Sequence, residues 1–568
     1  MVALEALVAA LPQIAAAIVA VFIAAIVVDG FMIPQRLRLR HIPGSPPKWL
    51  VGHILEAKRH DLFLFNMWEE MGARYGKVFK WFWATQPVIT VRDPELARLI
   101  CIKHFRAFPS RSMFYPPQPR VYNDVLSSGL VFAKGAYWSS VRGALQPLFH
   151  ATGLAAYHKI TSGAVSELEE SLAAAAAEGT PVDAAAAMCN LALKVIGEAA
   201  FGVKFDVMAK DAAGHITENR IVSAAKYVLE HTSAALTFMI TPRLLKPLVW
   251  AVVRVFPTPT LARLNLGRSQ IFTAAIVLIK NAMGRLGAKW VDDLGMEAAF
   301  VDDLGMEAAF ANPESAAVAA QYAGSVPAQG SVVDCLVNAI NKETGRPLKA
   351  HQMVAQANSV MVAGHDTTSF MMASALHFLA ADPRAKSALV AEVDAFGRGR
   401  PVAHGDLERF PYVEAALHEA LRLNPPGWMT SRECVADVTI DGWRIPRGSV
   451  VYIDIRGIQR APEHWGPDAG AFRPERFLDA AACAARHPQA HMPFGAGPRL
   501  CIGYKLAMQE ATQTLVRLFQ RFDFEPDAAM AGPGGAGPAL RPGITLGFKD
   551  GLWLRVRERG GGAARAAA

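Results

Sequence analysis

A cysteine at position 501 stands where a tight loop meets a helix-like run, and that placement sets its chemistry. The loop reads Phe494-Gly495-Ala496-Gly497-Pro498-Arg499-Leu500-Cys501-Ile502-Gly503, and Tyr504-Lys505-Leu506-Ala507-Met508-Gln509-Glu510 follows. Backbone N–H groups at a helix start, the helix dipole and a nearby guanidinium such as Arg499 favour thiolate over thiol. Such a thiolate can ligate iron and push electron density towards bound dioxygen. A lone cysteine is more often an inert packing residue. Here the spacing Phe-x-x-Gly-x-Arg-x-Cys-x-Gly is met at every specified position, which argues for the ligand.

Other spacings point the same way. Ala363-Gly364-His365-Asp366-Thr367-Thr368 interrupts a helical run from His351 to Leu379 with residues that are poor in mid-helix, costing up to about 1 kcal/mol each against Ala. A threonine hydroxyl there can bond back to the preceding turn and bend the helix, so a functional bulge is expected. Glu419 and Arg422 share a helix face, as do Trp138 and Arg142. Three further patterns carry nothing. Gly532, Gly534 and Gly537 satisfy GxGxxG without a following helix; His418-Glu419 lacks the second histidine of a zinc helix, Arg422 standing there; no P-loop occurs.

The cysteine loop resembles the haem-binding signature of the cytochrome P-450 (haem-thiolate monooxygenase) family, microsomal type. Its texture at Ile42-Pro43-Gly44, Gly197-Glu198-Ala199-Ala200-Phe201-Gly202 and Phe410-Pro411-Tyr412 resembles the group of thromboxane synthase, drug-oxidising enzymes and plant strigolactone-pathway oxidases. The resemblance spans roughly Pro43 to Arg557. It implies a mainly α fold with small β-sheets, and haem b with Cys501 as the axial ligand of its iron. Phe494, Gly495, Arg499, Trp138, Arg142, Arg432 (ten residues beyond Arg422) and Arg111 are then expected around the haem, the cations as propionate partners. Glu419, Arg422 and Arg476 of Pro474-Glu475-Arg476-Phe477 form a structural network. Thr367 would order water and donate a hydrogen bond to dioxygen, with Asp366 relaying protons. Ala363, Gly364, Pro426, Gly427 and Trp428, with residues around Phe114, would line the substrate pocket.

The elements that must position these residues are read from the rest of the chain. It has 568 residues, 52% of them hydrophobic and 19% charged, which excludes a disordered chain. The net charge of +8 is mild and scattered, so nucleic acid is not an expected partner. Six cysteines with no CxxC pair fit neither a disulfide framework nor a zinc ribbon. From Ala6 to Val28 only Pro12 and Gln13 interrupt an apolar stretch whose 23 residues can cross a hydrocarbon core of about 30 Å. Arg36, Arg38, Arg40 and Lys48 follow it, which predicts a cytosolic body. The reading is therefore an anchor over 1–30, a basic and proline-rich hinge over 31–50, a catalytic domain over 51–558 and a disordered tail over 559–568. A low-complexity surface insertion is expected at 285–330, where the decapeptide 291–300 recurs unchanged at 301–310. Strands are expected at Pro87–Val91, Val438–Ile440 and Val450–Asp454.

The resemblance implies a single-pass membrane enzyme, of the endoplasmic reticulum by family habit. It would insert one atom of O2 into a lipophilic small molecule with electrons from NADPH-cytochrome P-450 reductase, a flavoprotein, so that NADPH acts only indirectly. Lys134, Arg142, Arg499 and Lys505 flank the proximal motifs and offer an acidic reductase a docking charge. One alternative is a haem-thiolate isomerase or dehydratase acting on a peroxide without reductase; another is a haem sensor or electron carrier. Asp366 and Thr367 argue against both: many of the family's isomerases and dehydratases lose that pair, and electron transfer alone needs no proton relay.

Overall fold

The computed structural model describes residues 19–28 (apart from 22 and 26), 31–60, 64–112, 128–204, 221, 224, 227, 259–285, 312–328, 330–530, 537–541, 543 and 545–560. Most of these residues are helical. Along the chain run α1 (Leu64–Tyr75), the hairpin β1 (Val78–Trp83) and β2 (Gln86–Val91), α2 (Gly135–Leu145), α3 (Ala151–Glu178), α4 (Ala184–Phe201), α5 (Pro259–Arg285) and α6 (Pro313–Tyr322). Then come α7 (Ala350–Ala381), α8 (Pro383–Phe396), α9 (Pro411–Leu423), β3 (Thr430–Glu433), β4 (Val450–Ile453), α10 (Tyr504–Arg521), β5 (Phe522–Pro526) and β6 (Trp553–Glu558).

Helix α7 is the axis of the molecule, packed by α4, α5, α9 and α10. Most of its side chains from Met353 to Met361 and from Phe370 to Ala380 are buried, the apolar ones in two clusters, which a helix achieves only when neighbours surround it. Sequence sets the element ends. Asp183 caps α4 by accepting from the amides of Ala185 and Ala186, and Gly202 closes it at φ 65°. The main sheet has the order β1-β2-β4-β3, with β2 parallel to β4 (Val88 against Val450) and the other pairs antiparallel. β5 and β6 pair beside the two-residue strand Val182–Asp183.

The expected strands form at Gln86–Val91, Val438–Ile440 and Val450–Ile453. Two readings change. Part of the stretch taken as a surface insertion is α6, capped by Asn312 and buried through Ser315, Val318 and Tyr322 against α5. Its alanine-rich composition signals a small-residue helix contact as well as low complexity. The expected bulge at 363–368 is also absent, since α7 runs unbroken from Ala350 to Ala381. The decapeptide repeat, most of the tail and residues 1–18 of the expected anchor lie outside the described residues. The described residues within 19–28 are helical, and their apolar side chains are exposed. Among the described residues one helix is long and apolar enough to cross a membrane, α4, and it is mostly buried, a core helix.

Candidate active site

The cysteine loop is shaped by its glycines. Gly497 has φ 70°, and a Cβ there would stand 2.2 Å from the carbonyl oxygen of Cys101, so only glycine fits. The loop folds back to let the Cys501 amide donate to the Phe494 carbonyl at 3.0 Å, and Gly503 then opens α10. Cys501 is exposed, although burial is the largest influence on its thiol and pushes its pKa up. The residue is thus accessible and yet closely surrounded by protein. The Gly503 amide and the charges of Arg111 and Arg142 pull in the opposite direction. Arg499 takes no part in this, contrary to the expectation from sequence. Its guanidinium lies 4.0 Å over the Trp138 ring and donates to the carbonyls of Pro109 and Ala133.

Four arginines lie near one another at the cysteine loop. Arg111 donates to the Arg499 carbonyl at 2.8 Å and Arg142 to the Leu500 carbonyl at 2.9 Å, tying both to the loop. Arg432 and Arg499 are 0% and 1% exposed. Burial and mutual repulsion bring Arg111 down to about 10 and Arg499 to about 9, and among the described residues no carboxylate offsets either. Arg432 Nε and Nη2 and Arg499 Nη1 are buried without a hydrogen-bond acceptor among the described residues. Enclosing unpaired cations costs several kcal/mol per ion, so the arrangement is complete only with an anion between them. A ligand carrying two carboxylates, as haem does, fits that donor set.

On α7 the Thr367 hydroxyl donates to the Ala363 carbonyl at 2.6 Å. This bond lets the helix pass through Gly364 to Thr368 without a break. It also commits the only hydroxyl proton, so Thr367 faces its surroundings as an acceptor, where a donor was expected. Asp366 is buried, receives Arg541 at 3.1 Å and accepts from the Thr545 hydroxyl. Buried His365 adjoins it, and burial lowers that imidazole's pKa. Ala363 is exposed between half-buried neighbours in the middle of α7, so that face borders a space. Gly364 packs instead: a Cβ there would meet Ile196 of α4 at 2.5 Å.

The carboxylate of Glu419 receives Arg422 through two hydrogen bonds of 2.6 and 2.8 Å, both side chains fully buried. Arg476 approaches it at 3.3 Å, and the Arg473 amide donates to it. Arg422 and Arg476 spend their other donors on the carbonyls of Gln459, Ala469, Ala471, Trp465 and Asp468. The network thus clamps the segment leading to the cysteine loop.

Pro426 is buried and its carbonyl accepts from the Leu546 amide, beside partly buried Gly427. Trp428 does not line an open pocket. It packs 5.6 Å from Phe65 and 5.2 Å from Trp68, and its indole donates to the Gly543 carbonyl, so it is core. Phe114 lies outside the described residues. Lys134, expected as a free docking charge, pairs with Glu433, whereas Lys505 is exposed. Arg541 and Thr545 were missed, since they follow no motif and reach Asp366 from 175 and 179 positions away.

The cytochrome P450 family profile matches residues 42–533. The chain is 27% identical to thromboxane-A synthase of Rattus norvegicus over 504 residues, covering 86% of this chain and 87% of that enzyme. The thromboxane-A synthase of Mus musculus is similar at 27% over 536 residues, 92% and 93% of the two chains. Cytochrome P450 3A6 of Oryctolagus cuniculus is 26% identical over 494 residues, 85% and 86%. With the cysteine loop, the buried Glu419–Arg422 pair and the arginine ring in place, this match over most of the chain identifies it as an enzyme of the cytochrome P450 family.

Proposed function

We propose that the enzyme is a membrane-anchored monooxygenase that inserts one oxygen atom of O2 into a lipophilic small molecule. Electrons would come from NADPH-cytochrome P-450 reductase, and the body would stand in the cytosol at the endoplasmic reticulum. Thiolate-ligated haem b supplies the reduction and cleavage of O2. Cys501 would ligate its iron; a coordinated thiol gives up its proton, which offsets the upward push of burial. Arg111, Arg142, Arg432 and Arg499 would receive the propionates, with Trp138 holding Arg499 in plane. Thr367 would accept a hydrogen bond from an ordered water, and Asp366 would pass protons to it. Ala363, Pro426 and Gly427 would border the substrate, and Glu419, Arg422 and Arg476 would keep the proximal side rigid. Lys505 would offer the reductase a charge.

The observation that carries this reading is the accessible Cys501 beside buried guanidinium groups with idle donors. The dithionite-reduced, carbon-monoxide-bound protein is expected to show a strongly red-shifted Soret band that Cys501→Ser abolishes. A band at the position of histidine-ligated haem, or one indifferent to that substitution, would remove the thiolate and the mechanism with it. Similarity to enzymes named thromboxane-A synthase favours a second reading, rearrangement of a peroxide without reductase. Turnover of a lipid peroxide with neither NADPH nor O2 supply would select it.

A further inference from the structure

Between the N-terminal helix and the sheet lies a groove of about 380 Å³ lined by Arg36, Leu37, Arg40, Ser45, Pro46 and Lys80, among others. It is a built feature. The short helix Ile33–Arg38 presents Arg36, Arg40 follows its end, and the proline segment is fastened to β1 by the Lys80 amide donating to the Pro43 carbonyl at 2.7 Å. A Cβ on Gly44 would stand 2.1 Å from the Lys80 carbonyl oxygen, so the two strips of backbone are in direct contact. The Lys80 ammonium is half-buried, donates to the Leu39 carbonyl at 2.6 Å, and is depressed by burial and by the Arg36 charge. No ion pair neutralises Arg36, Arg40 or Lys80 among the described residues. Around the cations stand exposed apolar side chains: Phe31, Ile33, Leu37 (63% exposed) and Trp49, with Phe31 and Trp49 in ring contact.

Three cations converging on one concavity call for a compact anion, and the apolar rim calls for acyl chains beside it. A free phosphate would use the first feature only. We propose that this groove binds the phosphate-bearing headgroup of an anionic phospholipid, with Phe31, Ile33, Leu37 and Trp49 against its chains. The site would fix the angle at which the body meets the bilayer, because Pro43–Pro47 joins groove and sheet. This deepens the membrane reading above and rests on it for its setting.

The test is run in solution, so that failure of the anchor and failure of the lipid site are separable. The full chain in non-ionic detergent is titrated calorimetrically with dihexanoylphosphatidylserine, dihexanoylphosphatidylcholine and inorganic phosphate. Saturable binding of the serine lipid is expected, much weaker binding of the choline lipid and of phosphate, and weakening as salt rises. At about fivefold per cation, the double variant Arg36→Gln/Arg40→Gln should bind the serine lipid about twenty-five-fold more weakly. Arg36→Lys/Arg40→Lys should retain it, and the Soret spectrum should be the same in all forms. Equal affinity for the two lipids, phosphate binding as tight as the serine lipid, or a glutamine variant that binds as wild type would each overturn the proposal.

Discussion

Asp366 is the residue whose surroundings say most about the chemistry. Its carboxylate is held by Arg541 and Thr545 from the C-terminal part of the chain, while Thr367 next to it spends its proton on the Ala363 carbonyl. In the proposed mechanism Asp366 would have to exchange one of these partners for water before it could deliver a proton. Asp366→Asn keeps the shape and can still accept from Thr545, but it cannot carry a proton. Reductase-supported oxidation of a lipophilic ether probe should fall by about 10²-fold, the low end for a general acid–base group. Oxidation supported by hydrogen peroxide, which brings its own protons, should fall much less, and the carbon-monoxide spectrum should not change. Equal losses by both routes would make Asp366 a structural residue. At this scale Cys501, Glu419, Arg422, Thr367 and Asp366 could be named as candidates because they sit in short motifs whose spacing is the signal, and the Glu419–Arg422 pair forms. Arg541, Thr545 and the direction of the Thr367 hydrogen bond were not legible, because a contact 175 residues away and a rotamer leave no local pattern.

At the scale of elements, loop geometry decides whether the cysteine can be presented at all. Gly495 and Gly497 both have positive φ, 78° and 70°, and both lie in the cysteine loop. Their surroundings differ: nothing stands within 4 Å of a Cβ on Gly495, while one on Gly497 meets the Cys101 backbone at 2.2 Å. An alanine at either position carries the left-handed penalty of about 1–2 kcal/mol. At Gly497 the overlap with backbone adds about 1–3 kcal/mol, because a carbonyl within a helical turn cannot swing aside as a side chain would. Gly497→Ala should therefore lose most of its red-shifted carbon-monoxide band and several degrees of thermal midpoint, whereas Gly495→Ala should keep the band. If the two variants behave alike, the contact with Cys101 does not shape the loop. The helical run from His351 to Leu379 and the helix-like run after Cys501 were legible and correspond to α7 and α10. Periodicity did not reveal that α7 continues through Gly364-His365-Asp366-Thr367, where poor helix formers are tolerated because Ile196 needs the space and Thr367 back-bonds.

For the whole molecule, stability in acid is a contest between buried groups of opposite sign. His53, His158, His365, His377, His464 and His491 are all depressed, chiefly by burial, His377 to about 4. An imidazole kept neutral by burial contributes stability that is whole above its unfolded pKa near 6.5. That stability is lost as pH falls towards about 4, because the unfolded chain binds the proton first. Glu510 works the other way. Burial raises its carboxyl well above 4.5, so the folded state holds a proton that the unfolded chain releases, and stability falls as pH rises from 4.5. The two windows overlap, and the net slope alone cannot assign either cause; single variants can. His377 packs against Phe378 and Phe548 with burial alone behind its shift, so an aromatic replacement keeps the contacts and deletes the proton. Urea unfolding at pH 7.5 and 5.0 should show His377→Phe losing less stability than wild type between those values, by about 1–2 kcal/mol for a shift of this size. Glu510→Gln should move the comparison in the opposite sense, losing more on acidification than wild type, because it no longer gains from the folded-state proton. An unchanged pH slope in His377→Phe would mean that water or a local opening reaches His377 at pH 5, and that the Phe548 edge of α7 is looser than its packing implies.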